Sequence, residues 1–305
     1  MPLLVIQPVR RYTSPMKIHF WGVRGSFPVA TPDVLRYGGN TPCIEVDTGS
    51  GIIVLDAGTG IRGLGKSLLQ RSIRHFDLLL SHAHWDHIQG FPHFEPLYRD
   101  DVSVTVHALR HPRHSLSDIF AGQQAAPFYP VPLEQLRAKI DFVEHEDGDV
   151  FELAGAMVLC HRLNHPGVAS GFRIDSGERT FAYICDTDLN CEQLLASELP
   201  ESSAADSEQW RLRLRQAAYD LGHSADLMVC DTFFLPEEYD SAWGHSRPDD
   251  FLEFSREVGV ACMCLFHHRP ERSDDALDAV IEACQQKAGD GLQVLGAREG
   301  LEIEI

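Results

Sequence analysis

Three histidines and one aspartate fall within six residues, His82-Ala-His84-Trp85-Asp86-His87. Imidazole and carboxylate are the donors that bind a borderline divalent metal such as zinc. The stretch follows Phe76-Asp-Leu-Leu-Leu80, an apolar run that reads as a buried strand. If the chain is still extended beyond it, His82 and His84, two apart, point to one side. Asp86 and His87 then come from the following turn and can face a second ion. Paired metals about 3.5–4 Å apart activate a water and stabilise a leaving oxygen, so a loop serving two ions points to hydrolysis. Four candidate ligands packed this closely are poorly explained as unrelated core or surface residues, because buried groups of this kind need partners.

One loop cannot complete two coordination spheres, and further donors stand at the ends of other apolar runs. His165 lies in Leu163-Asn-His-Pro-Gly167, where Pro166 and Gly167 end a strand and leave the imidazole at a rim. Asp186 directly follows Phe181-Ala-Tyr-Ile-Cys185; a carboxylate there needs a partner or a metal, which makes it the candidate bridging ligand. Asp231 follows Leu227-Met-Val-Cys230 in the same way and can orient a histidine. His245, in Trp243-Gly-His-Ser246 before a helix start, can give a proton to a leaving alkoxide. His267 and His268 follow Ala261-Cys-Met-Cys-Leu-Phe266; His267, the first residue past the strand, is the preferred ligand and His268 the alternative. Asp56, opening Asp56-Ala-Gly-Thr-Gly60, can brace the metal loop, and the glycines there lack the full spacing of a nucleotide fingerprint. Tyr37-Gly-Gly-Asn-Thr41 reads as a turn from which Asn40 can face a substrate.

The elements that must position these residues are mainly strands. Lys17–Trp21, Cys43–Asp47, Gly51–Leu55, Val102–His107, Met157–Leu163, Gly171–Ile174, Thr180–Cys185, Leu227–Cys230 and Cys262–Phe266 fit strand patterns. Three amphipathic helices are clear: one begins near Ser246 and Pro248, one carries Leu277, Val280, Ile281 and Cys284 before Gly289, and one carries Trp210, Leu214, Ala217 and Leu221. Strands dominate each half with helices between them, the pattern of two sheets covered by helices. Residues 1–15 read as an N-terminal extension, 16–305 as a single domain, and 187–226 as an acidic excursion suited to a lid or an interface element.

Composition narrows the function. The 305 residues are 44% hydrophobic and 23% charged, as expected for a globular chain with a sizeable core. Net charge is −19, from 45 acidic against 26 basic residues, which disfavours a protein that coats a nucleic-acid polymer. A small anionic substrate remains compatible, because metal ions dominate their local field. Eight scattered cysteines without a CxxC pair fit a reduced, cytoplasmic setting. Neither a signal peptide nor a membrane span is expected.

On these residues the chain resembles the metallo-β-lactamase superfamily: His82 to His87 is its HxHxDH motif, and His165, Asp186 and His267 follow in its ligand order. The resemblance implies an α/β fold, a four-layer αβ/βα sandwich with two mixed sheets inside and helices outside. It also implies a site for two divalent metals, zinc or alternatively manganese or iron. His82, His84 and His165 would hold one ion, Asp86, His87 and His267 the other, with Asp186 bridging. Trp21-Gly-Val-Arg-Gly-Ser26, Leu55-Asp-Ala-Gly-Thr-Gly60, Cys185-Asp-Thr187 and Gly244-His-Ser246 are similar to the phosphodiesterase branch, which includes ribonuclease Z. The implied reaction is hydrolysis of a small phosphodiester, a cyclic nucleotide among the candidates, by a hydroxide bridging the metals, with Asp86, His245 and Asp231 in the catalytic set. Arg24 and Arg269 become candidate phosphate contacts. Arg269 stands where close relatives tend to carry an acidic residue. No Gly- and Pro-rich basic arm is present, which argues against transfer RNA as substrate. A homodimer is implied by the family. The competing readings are acyl hydrolysis on the same fold and a non-catalytic metal-bound sensor or scaffold.

Overall fold

The computed structural model of the chain describes residues 15–190, 193 and 204–305. The expected N-terminal extension up to residue 14 and residues 191–192 and 194–203 of the expected excursion lie outside the described residues.

The first half builds β1 (Lys17–Gly22), β2 (Cys43–Asp47), β3 (Ile52–Leu55), β4 (His75–Leu79), β5 (Ser103–Leu109) and β6 (Lys139–His145). The second half builds β7 (Val150–Leu153), β8 (Ala156–Arg162), β9 (Ser170–Ser176), β10 (Arg179–Ile184), β11 (Leu227–Asp231), β12 (Cys262–Phe266) and β13 (Gln293–Gly296). A last strand, β14 (Glu302–Glu304), returns to pair with β1. Each sheet has seven strands among the described residues, in the orders β14-β1-β2-β3-β4-β5-β6 and β13-β12-β11-β10-β9-β8-β7. Both sheets are mixed: β3 to β6 and β10 to β13 run parallel, and the remaining neighbours are antiparallel.

Strand patterning explains why the sheets stack. In β11, Leu227 and Val229 face the space between the sheets, whereas Met228 and Cys230 face outward, and all four are buried. A strand covered on both faces reads as a continuous apolar run rather than an alternation. The inner core joins Phe20, Ile44, Ile53 and Leu79 to Phe172, Phe181, Val229 and Phe266. The outer faces are covered by helices: α1 (Ile61–Gln70), the single turn α2 (Trp85–Ile88) and α3 (Leu116–Gln123) on the first half, α4 (Ala204–Gly222), α5 (Pro248–Val258) and α6 (Asp274–Ala288) on the second. The expected αβ/βα sandwich is therefore the observed one.

Among the described residues of the expected excursion, α4 is part of this outer layer. Leu214, Ala217 and Leu221 are buried, and the helix packs on β8, β9 and β10. The expected helix starting near Ser246 is α5, but the serine does not cap it: Ser246 Oγ donates to Thr187 O at 2.6 Å and accepts from Leu189 N at 3.0 Å. No helix among the described residues is long and apolar enough to cross a membrane. Seven of the cysteines are described; all are free and buried.

Candidate metal centre

The parallel strands of the two sheets all end at the same rim. β4 stops at Leu79, and Ser81 N then donates to Asp56 Oδ1 at 2.7 Å. His84 is still extended, with φ −63° and ψ 153°, and α2 begins at Trp85, so Asp86 and His87 occupy its first turn. The histidine–aspartate motif is thus half strand exit and half helix start, which sends its ligands in two directions. The glycine turn after β3 cradles it: Ala57 N donates to His87 O at 2.7 Å, and a Cβ at Gly58 would lie 2.5 Å from Asp86 O. Gly58 is there for close backbone approach, and the turn serves the metal loop rather than a nucleotide.

Asp186, just beyond β10, divides the cluster. Its Oδ2 lies 3.6 Å from His82 Nε2 and 3.7 Å from His165 Nε2, and His165 Nε2 lies 3.0 Å from His84 Nδ1. Its Oδ1 lies 3.4 Å from His87 Nε2 and 3.2 Å from His267 Nε2. Asp86 Oδ2 completes that second group, 3.4 Å from His87 Nε2 and 3.2 Å from His267 Nε2. All seven expected ligands meet, in the two expected sets, with one carboxylate between them. The neighbouring histidine turns away: His268 Nε2 donates to Ala297 O at 2.8 Å.

Fixed partners aim these ligands. His87 Nδ1 donates to Asp56 Oδ2 at 2.8 Å, and the same oxygen accepts from Tyr183 Oη at 2.7 Å and Ser81 Oγ at 2.9 Å. His165 Nδ1 donates to Gly244 O at 2.8 Å. Asp86 Oδ2 accepts from Ser26 N at 2.7 Å, and Asp186 Oδ1 accepts from Cys185 Sγ at 2.8 Å. Burial first, and Asp186 next, push the Cys185 thiol well up, so it donates as a thiol. Ser26, Tyr183 and Cys185 were not expected in the site; Ser26 and Tyr183 enter it through contacts 60 and 127 residues apart in sequence, which leave no local pattern, whereas Cys185 meets its own neighbour Asp186. Asp56, Asp186 and His267 also share positive φ values of 61°, 37° and 58°. Such backbone at non-glycine residues costs energy and is held by the surrounding structure.

The donor set fits a pair of divalent cations. His82 Nε2, His87 Nε2 and His267 Nδ1 are buried without a hydrogen-bond partner. Burial holds His82 well below the ordinary histidine range and pushes His165 down to about 3, keeping both in the neutral form that ligates. Burial opposes ionisation of Asp186, but His267 and His87 outweigh it and hold its carboxyl well below the usual range. Burial also opposes charge on His87, but Asp186, Asp86 and Asp56 together hold it well above the ordinary value. The buried carboxylates therefore stay ionised and favour positive charge beside them. Mixed imidazole and carboxylate donors suit zinc, manganese and iron alike.

Beside the cluster stands a second pair. His245 Nδ1 donates to Asp231 Oδ2 at 2.8 Å. That carboxylate is fixed by Thr187 N and Phe233 N, both at 3.1 Å. Burial lowers the pKa of His245, but Asp231 outweighs it and the net shift is upward. The His245 ring centroid lies 5.0 Å from that of His165, 5.1 Å from that of His267 and 4.6 Å from that of Phe233.

The three expected substrate contacts fare differently. Arg24 is fully buried; its Nε donates to Gly38 O at 2.8 Å and its Nη1 to Arg272 O at 2.7 Å, while Nη2 lies 3.6 Å from Asp274. The expectation that it steadies a phosphate is not met, because the guanidinium is fully buried and its Nε and Nη1 donate to backbone carbonyls. Asn40 is also elsewhere: its backbone N and Nδ2 both donate to Glu299, at 2.7 and 2.9 Å, beside a separate cavity with Trp21 and Arg62. Arg269 is near the site, with its guanidinium 5.9 Å from the ring centres of Phe233 and Phe234, its Nε donating to Glu271 at 3.1 Å and its Nη1 3.6 Å from Glu238. It lines a cavity of about 350 Å³ with Phe27, Phe233, Phe234 and Trp243. On the other side, a cavity of about 170 Å³ touches His82 and His84 between apolar walls including Leu109, Leu116 and Val168.

A profile of the family described as "Beta-lactamase superfamily domain" matches residues 52–268. No curated protein matches the chain significantly. Among solved structures, the metallo-beta-lactamase fold protein YhfI from Bacillus subtilis superposes with a TM-score of 0.67 at 16% identity, covering 95% of this chain and 99% of its own. Unliganded yeast PDE1 gives 0.61 at 14% identity, over 95% and 99% of the two chains. A diphosphatase from the PhnP family gives 0.60 at 15% identity, over 95% and 98%. At these identities the likeness is one of fold.

Proposed function

Since the chain belongs to the beta-lactamase superfamily, we propose that it hydrolyses a small phosphodiester, a cyclic nucleotide being one candidate. The observation that carries this reading is the division of Asp186: one oxygen faces His82 and His165, the other His87 and His267. A divalent pair held there, zinc by preference, would supply Lewis acidity, neutralising charge on phosphoryl oxygens and easing ionisation of water.

The chain's own residues do the rest. His82, His84 and His165 would hold one ion and Asp86, His87 and His267 the other, with Asp186 within reach of both groups. The amide of Ser26 and the Asp56–Tyr183–Ser81 set keep Asp86 and His87 aimed. His245 carries the proton for the departing oxygen, because Asp231 favours its charged form and leaves Nε2 for the substrate. Phe233 packs against His245 and limits water beside it. A diphosphatase and yeast PDE1 among the similar folds support a phosphorus centre over an acyl one. The buried free cysteines support a reducing, cytoplasmic setting, and a homodimer remains the family-based reading of the assembly.

Protein loaded with zinc or manganese should hydrolyse bis(p-nitrophenyl) phosphate, and Asp86→Ala should lose at least about 100-fold in kcat/KM, as for removal of a main contributor to charge stabilisation. Hydrolysis of p-nitrophenyl acetate without diester turnover, by protein holding two metals per chain, would overturn the phosphodiester reading in favour of acyl hydrolysis.

A further inference from the structure

The cavity of about 350 Å³ walled by Phe233, the ring that stacks on His245, is at the small end of ligand-sized pockets, which run from about 300 to 1,000 Å³. Its position relative to the proton donor fixes its role. In diester hydrolysis the bond from phosphorus to the departing oxygen breaks, and that oxygen takes a proton from His245. Water supplies the hydroxyl that ends on phosphorus and the proton that restores His245. The departing alcohol therefore leaves on the side of His245, and His245 stacks on Phe233, a wall of this cavity.

The lining states what kind of alcohol fits. Phe27 and Trp243 flank the cavity and are 51% and 57% exposed, large aromatic surface left in solvent where a flat ring could cover it. Phe233 and Phe234, buried behind them, meet edge to face. The charged lining is three carboxylates, Glu238, Asp240 and Glu271, against the single guanidinium of Arg269, and Ser26 adds a neutral polar residue. That guanidinium already lies against Glu238 and Glu271. An excess of acceptors suits the exocyclic amino N–H donors of a base such as adenine and repels a leaving group that carries its own phosphate.

We propose that this cavity is the leaving-group site and that it takes a neutral nucleoside-like alcohol, its base stacked between Phe27 and Trp243. The inference rests on the phosphodiester reading above and favours an open nucleoside diester, because the oxygen released from a cyclic nucleotide stays tethered to its own phosphate. It is tested by calorimetric titration of the metal-loaded full chain with adenosine and, separately, with ribose. Adenosine should bind and ribose should not. Trp243→Ala and Phe27→Ala should each weaken adenosine by about five- to a hundredfold, the range of a lost base–aromatic stack. Phe128→Ala, which removes an aromatic 80% exposed outside this cavity, should leave adenosine binding unchanged. Equal binding of adenosine and ribose, or wild-type affinity in both cavity variants, would overturn the proposal. Diester turnover on the same preparation separates the two ideas. Turnover without adenosine binding overturns the leaving-group site alone. Adenosine binding that depends on Trp243, without turnover, supports a ring pocket and overturns the hydrolytic reading.

Discussion

Gly25 sits where the Asp86–His87–His267 group can be disturbed without substituting any of its members. A Cβ there would lie 2.5 Å from His267 Cε1 and 2.6 Å from Nδ1, where ordinary contact begins at 3.4 Å. In Gly25→Ala the imidazole must therefore retreat by about 3.4 − 2.5 = 0.9 Å. It has little room to do so: His87 and His245 stack against it at 5.4 and 5.1 Å between ring centres, and Phe233 lies 5.8 Å away. The shift removes Nε2 from its place 3.2 Å from both Asp86 and Asp186. A misplacement of about 1 Å at a reacting centre costs about 100-fold in rate, and that loss is expected in kcat/KM toward bis(p-nitrophenyl) phosphate. The metal position formed by His82, His84 and His165 is untouched, so dialysed protein analysed by inductively coupled plasma spectrometry should fall from two ions per chain toward one. Gly122→Ala is the control, since no atom lies within 4 Å of the added carbon and alanine favours the helix by up to about 1 kcal/mol. Two ions retained at wild-type affinity, with kcat/KM within twofold, would refute the packing argument.

Two other perturbations test separate parts of the design. His245→Ala should lower kcat by about 10²–10⁴ for an alkyl leaving group, as expected for loss of a general acid. The drop should be much smaller for p-nitrophenolate, which departs without a proton, and metal content should not change; an equal drop for both would remove His245 from that role. Arg24→Ala should destabilise the fold by about 3–5 kcal/mol, as when one member of a buried charged network is removed. Denaturant unfolding measures this, and a variant within 1 kcal/mol of wild type would show that the bonds to Gly38, Arg272 and Asp274 are dispensable.

The clustered donors were legible because several of them stand at or just past the end of an apolar run, and strand ends are local features, while Asp86 and His87 belong to one short motif. Asp186 after β10 and His267 after β12 could be found this way, and His268 could be set second on position alone. Element bounds slipped by a residue or two, as at β9, where Gly171–Ile174 was expected and Ser170–Ser176 forms. β6 was missed although Ile140 and Phe142 alternate with polar residues, and β7 and β14 are edge strands of four and three residues with little pattern to read. α3 was missed despite its Ser115 cap, whose Oγ accepts from Asp118 N. Arg24 and Asn40 misled for a different reason. An arginine or an asparagine beside glycines looks the same whether it meets a ligand or a backbone carbonyl, and the deciding partners, Arg272, Asp274 and Glu299, lie more than two hundred residues away in sequence.

That distance explains what the Trp21–Ser26 segment contributes. Arg24 holds the carbonyls of Gly38, Arg269 and Arg272, Gly25 N donates to His268 O, and Ser26 N donates to Asp86. Three consecutive residues thus tie the loop after β12, which belongs to the second sheet, to the metal loop after β4, which belongs to the first. Asp186 lies between the His82 and His87–His267 groups only if the sheets keep their relative placement, because His82 and His87 come from one sheet and Asp186 and His267 from the other. A packed apolar interface alone tolerates small sliding, whereas directional hydrogen bonds to backbone atoms do not. The segment therefore acts on the chemistry through registry: it sets the 3.2 Å approach of His267 to both carboxylates without any of its side chains needing to meet the substrate.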